Sequence, residues 1–121
     1  MSQFTDRIRP AVQAALDAAD YEESRGRFAT AFGHLERAHV LGQQSTREHV
    51  RVHWRMLRFA IRNRLAPEAA GQSWRVLAAA VFTPLGLVPR GNTGGAGISG
   101  VARLDIPQDL QRVIDAARRA A

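Results

Sequence analysis

The stretch His34–Met56, HLERAHVLGQQSTREHVRVHWRM, decides how this chain folds, because it contains both a helix stop and a helix start. Gly42 follows Leu41 as a C-terminal stop, since glycine enters the left-handed region without a Cβ clash. Ser45-Thr46-Arg47-Glu48 then reads as a capping box, in which the Ser45 hydroxyl and the Glu48 carboxylate satisfy early backbone N–H groups. A link as short as Gly42 to Ser45 predicts antiparallel helices on either side.

The same stretch holds all four histidines of the protein, His34, His39, His49 and His53. At about 100° per residue, Arg47, Arg51, Arg55, Arg58 and Arg62 share one face of the second helix, expected to be the solvated one. His49, His53, Met56 and Ala60 lie opposite and point inward. On the preceding helix Phe28, Phe32, Leu35 and His39 form the apolar stripe, so His39 also points inward, level with His49 and one turn from His53. Three imidazoles are therefore expected to converge in one hairpin core, with His34 off the stripe.

Working outward, 121 residues suit a single helical domain, 1–121, with one modest core. Hydrophobic content of 45% and charged content of 23% are ordinary for a globular chain. The absence of cysteine excludes disulfides, thiolate metal sites and cysteine nucleophiles. MSQFTDRIRP lacks the apolar core of a signal peptide, so a cytoplasmic location is expected. The apolar run from Val76 to Phe82 is too short for a membrane span. The net charge of +6 rests on 17 basic residues, all arginine. That can signal a polyanionic partner, but the arginine stripe has few interleaved aromatics and no nucleic-acid motif, so it reads as a solvated face.

A first helix is expected over Arg9 to Ser24, with Val12, Ala15, Leu16 and Ala19 apolar and Pro10 in its first turn. A second runs from Phe28 to Leu41. Gly26, Ala29 and Ala38 give this pair a likeness to a single tetratricopeptide-type hairpin, without a second copy. A third helix spans Thr46 to about Arg64. A fourth begins at Pro67, runs towards Phe82 and ends at Thr83-Pro84-Leu85-Gly86. A glycine-rich irregular strap, Gly91 to Gly100, precedes a last amphipathic helix after Ile106-Pro107, with Leu110, Val113, Ile114 and Ala117 apolar. The expected fold is all-α, a small bundle of about five helices built on hairpins.

Imidazole is the commonest side-chain ligand for zinc, copper and nickel. The four-residue spacing of His49 and His53 puts two ring nitrogens on one helix face, as in helical His-x-x-x-His sites. His39 supplies a third ligand. Glu36, one turn from His39, and Met56, one turn from His53, are candidate fourth ligands: Glu36 would suit zinc, and Met56 cuprous copper. Asp17 could accept an imidazole N–H from outside the ligand set. The competing explanation is three core histidines hydrogen-bonded to carboxylates or carbonyls, although three buried polar rings are costly without partners. In the strap, backbone N–H groups could form an anion nest with Arg90. Against this, the strap lacks the ending of a phosphate loop and follows no strand, so glycines allowing a close crossing are the simpler account.

Taken together, HLERAH at His34–His39, His49, the His53-Trp54 pair and GNTGG at Gly91–Gly95 resemble a bacterial family of small uncharacterised proteins classed as a domain of unknown function. The likeness runs from about Glu22 to Leu110. Genes of that family often lie beside copper, mercury or other heavy-metal resistance genes, so the resemblance implies metal handling and offers no catalytic residues to transfer. Two functions follow as expectations. One is a copper- or zinc-binding protein acting in metal buffering, transfer or resistance through His39, His49 and His53. The other is a helical interaction module with structural histidines and a basic face for a protein or anionic partner. No general base is placed beside the histidines, which disfavours an enzyme. A bundle this small could complete its site across a homodimer.

Overall fold

A computed structural model of the chain describes residues 3–99 and 102–119. Five helices appear in order: α1 Gln3–Ser24, α2 Phe28–Gly42, α3 Thr46–Arg62, α4 Ala66–Phe82 and α5 Gln108–Arg119, with a 3-10 turn Thr83–Leu85 directly after α4. No strand occurs among the described residues, and the protein is an all-α bundle. α1 packs chiefly against α2 and α3 against α4, while α5 lies on α1 and α2. No helix among the described residues is long and apolar enough to cross a membrane.

The core follows from helical spacing. Ile8, Val12, Leu16 and Ala19 of α1 meet Ala31, Leu35 and Ala38 of α2, Val52, Met56 and Phe59 of α3, and Leu110, Ile114 and Ala117 of α5. Burying aliphatic side chains of this size contributes about 1.5–3 kcal/mol each, and α5 docks by three of its four apolar positions. Val113 remains 38% exposed.

Helix α1 starts at Gln3, well before Arg9, and Pro10 lies inside it rather than in its first turn. The early turns are held by tertiary contacts that the local sequence does not announce. Ile8 is fully buried, the Thr5 and Ser45 hydroxyls share a hydrogen bond, and Arg7 donates to the Ala117 carbonyl. These contacts oppose the cost of a proline within a helix.

The α2–α3 corner also departs from expectation. Gly42 is the last residue of α2, and the following Gln43 is right-handed at φ −56°; Gly42 is not among the residues with positive φ. Close approach explains the glycine instead, because a Cβ on Gly42 would sit 2.9 Å from the Glu48 Cβ. Half of the capping box forms. The Ser45 hydroxyl accepts from the Glu48 N–H, but the Ser45 N–H goes to the Gly42 carbonyl and Glu48 instead accepts from Arg51.

The arginine face of α3 is not simply solvated. Arg51 pairs with Glu48 and donates to Gln13, Arg55 pairs with Asp20, and Arg62 pairs with Glu23. Much of the stripe therefore ties α3 to α1.

Candidate metal centre

The three inward histidines come from the helices that the hairpin periodicity assigns to them. His39 projects from α2, and His49 and His53 from successive turns of α3; all three are buried. Their Nε2 atoms form a small triangle. His39 lies 3.0 Å from His49 and 3.0 Å from His53, and the third edge is 3.2 Å. A tetrahedral ion with metal–nitrogen bonds of about 2.0–2.1 Å would need edges of roughly 3.3–3.4 Å. The triangle is within a few tenths of that.

Each ring is fixed from behind through its other nitrogen. His39 Nδ1 meets the Asn92 carbonyl at 2.6 Å, His53 Nδ1 meets Gln72 Oε1 at 2.6 Å, and His49 Nδ1 meets the Thr83 hydroxyl at 2.7 Å. A carbonyl can only accept, so His39 carries its proton on Nδ1. The Gln72 amide is oriented by its own partners: Nε2 donates to the Glu68 carboxylate and the Gly94 carbonyl, which leaves Oε1 for His53. His53 therefore also carries its proton on Nδ1. Thr83 can donate or accept, so His49 has both tautomers open.

The consequence is independent of His49. The Nε2 lone pairs of His39 and His53 face each other at 3.0 Å with no hydrogen between them. A buried acceptor left without a donor costs about 1–3 kcal/mol, which is considerable beside a typical net stability of about 5–15 kcal/mol. A cation at the centre of the triangle removes that cost.

A proton is the weaker candidate for that cation. Burial, reinforced by the neighbouring imidazoles, holds His39 well below the ordinary histidine range. Burial and His53 push His49 down to about 3. Burial, with Arg75 adding to it against the opposing Gln72 hydrogen bond, brings His53 to about 4. All three are neutral at pH 7, the form that ligates metals.

The glycine-rich segment completes the site. Gly94 has φ +86°, and a Cβ there would lie 2.5 Å from the His39 ring. Asn92 holds the segment's shape: its amide donates to the Ser99 and Ala102 carbonyls, and its Oδ1 accepts from the Gly94 N–H. Arg75 of α4 clasps the Gly95 and Ile98 carbonyls. An anion nest is not what forms. The Gly91 N–H goes to Gln43, the Gly94 N–H to Asn92 and the Ala96 N–H to Glu68. Gly100, the end of the expected strap, lies outside the described residues.

Of the two candidate fourth ligands, Glu36 does not join the three histidines. Met56 is fully buried in the apolar core. Glu36 accepts from Thr93, burial raises its carboxyl above the ordinary range, and it lines a separate groove with Gly33, Arg37 and Leu104. Asp17 pairs with Gln13 on the outside of α1. Among the described residues, His39, His49 and His53 form the group that could hold an ion, with no carboxylate joining them. Gln72, Thr83 and Asn92, which fix the rings, were not read as partners of the histidines, Thr83 entering only at the end of the fourth helix and Asn92 only within GNTGG. For Gln72 and Thr83 the only signal is polar character at positions that prove buried, and Asn92 acts through its backbone carbonyl, which its side chain does not announce.

Fold and site together define a small all-α bundle with a buried three-imidazole pocket that could hold a metal ion. Residues 6–114 match the family described as "Protein of unknown function (DUF3703)", and the chain belongs to that family. No curated protein and no solved structure matches the chain.

Proposed function

We propose that the protein binds one copper or zinc ion through Nε2 of His39, His49 and His53, and serves in metal buffering, transfer or resistance rather than catalysis. The observation that supports this most strongly is the unprotonated His39–His53 contact at 3.0 Å, backed by the Asn92 carbonyl and Gln72. Hydrogen-bonded outer partners of this kind are what orient metal-ligating histidines. Purely structural histidines would be expected to point a proton at an acceptor instead of pooling lone pairs. In this account the protein works in the cytoplasm and no membrane span is involved.

The test is metal content and thermal unfolding of purified, tag-free protein, wild type against His49→Ala/His53→Ala, with and without copper or zinc. Ligand at about 100-fold its Kd stabilises the folded state by about 2.7 kcal/mol, a melting shift on the order of 10 °C for a chain of this size. Stoichiometric uptake and a shift that disappear in the variant support the proposal. No uptake, with the variant merely less stable, makes the histidines structural.

A helical interaction module is the second reading, favoured by one observation. Trp74, Leu77, Val81 and Leu85 leave an apolar stripe exposed along α4 and the turn after it. A homodimer through this stripe would be broken by Trp74→Glu, and sedimentation equilibrium would report the change.

A further inference from the structure

The three histidines leave one side of their triangle facing a cavity of about 80 Å³, walled by Ala78, Ala79, Phe82, Leu87 and Val88 and bordered by Arg75. A water molecule's share of liquid volume is about 30 Å³, so there is room for two or three water-sized groups. No carboxylate lines the cavity. The site itself brings no charge, because an imidazole ligates a metal through a neutral nitrogen lone pair. The carboxylate behind Gln72, that of Glu68, is matched by the guanidinium of Arg75.

A divalent ion on this triangle would thus keep its full charge beside a cavity of mixed lining, largely apolar but bordered by Gln43, Thr83 and Arg75 and reaching solvent past Phe82 and Leu87. Charges at such a partly buried site interact more strongly than in bulk water, and three protein ligands leave a tetrahedral ion one position short. We propose that the fourth ligand is not a side chain but a small exogenous monoanion, of hydroxide, halide or pseudohalide size, entering from this cavity. The inference rests on the metal-binding proposal and specifies what completes the site. Arg75 is a positioning residue for the anion. Its guanidinium is held beside the cavity by the Gly95 and Ile98 carbonyls, neutral acceptors that leave its charge in place. The alanines at 78 and 79 keep the approach open.

The experiment loads the full chain with cobalt(II), whose visible bands report four-coordinate geometry, and titrates sodium thiocyanate in chloride-free buffer. Affinity is referred to the fraction of protein carrying cobalt. Saturating one-to-one changes in the bands are expected. Arg75→Gln should weaken thiocyanate on the order of tenfold by removing one nearby positive charge, and Ala78→Leu should block it by filling the cavity. Ala78→Leu leaves the Arg75 clasp intact, so it serves if Arg75→Gln fails to fold. Cobalt bands that do not respond to thiocyanate, or respond equally in both variants, overturn the inference while leaving the metal site standing. Absence of any cobalt bands contradicts the metal site itself and removes the inference with it.

Discussion

Nε2 of His39 and Nε2 of His53 meet at 3.0 Å with no hydrogen between them, because each ring carries its proton on the far nitrogen. Without metal at neutral pH, nitrogen-15 spectra should therefore show His39 and His53 as Nδ1–H tautomers. An Nε2–H signal from either would contradict the assignment of the Asn92 and Gln72 hydrogen bonds.

The acid response of the metal-free protein has a definite sign. Burial lowers all three histidines in the folded state, His49 to about 3 and His53 to about 4, against about 6.5 in the unfolded chain. The unfolded state then binds more protons between those values. Stability is full above about pH 6.5 and falls as pH drops towards 4, by up to about 1.4 kcal/mol per pH unit for each histidine that stays neutral. Melting temperature measured from pH 8 to pH 4 should fall along this window, and His49→Gln/His53→Gln should flatten the fall.

Gln72 should matter more to metal than to fold. Its Oε1 aims His53 while its Nε2 ties Glu68 and Gly94. Gln72→Leu should weaken zinc about 10- to 100-fold, the usual effect of losing an outer partner. Chelator competition measures this, and an unchanged Kd would remove Gln72 from the site.

Gly94 and Gly42 are required for different reasons. Gly94→Ala meets both a left-handed φ and the His39 ring, so it should lower the melting temperature and impair metal uptake together. Gly42→Ala meets Glu48, across the α2–α3 corner, and the Val12 side chain of α1, with no left-handed φ involved. It should cost about 1–3 kcal/mol, as overpacking does, with metal affinity per folded molecule retained. Equal effects on metal would contradict this division.

Helical periodicity was enough to bring His39, His49 and His53 together, because ring direction follows from 3.6 residues per turn on two adjacent helices. It also set the start of α3 and the region of α5. What escaped it depends on distant contacts. Pro10 sits mid-helix because the contacts of Thr5, Arg7 and Ile8 hold the preceding turns. Gly42 answers to a neighbouring helix and not to its own dihedral. Arg51, Arg55 and Arg62 find partners on α1 or within their own helix, a pairing that a single-helix projection cannot display. Glu36 has suitable chemistry and spacing but bonds to Thr93. The hydrogen-bond partners of the three rings come from α4, the turn after it and the glycine-rich segment, whose paths no local pattern encodes.

X-ray absorption at the metal edge of zinc- or copper-loaded protein tests the central claim most directly. The account predicts one ion per chain with three imidazole nitrogens at about 2.0 Å, lost in His49→Ala/His53→Ala. A sulfur shell from Met56, a carboxylate-only environment, or spectra unchanged in the variant would contradict it.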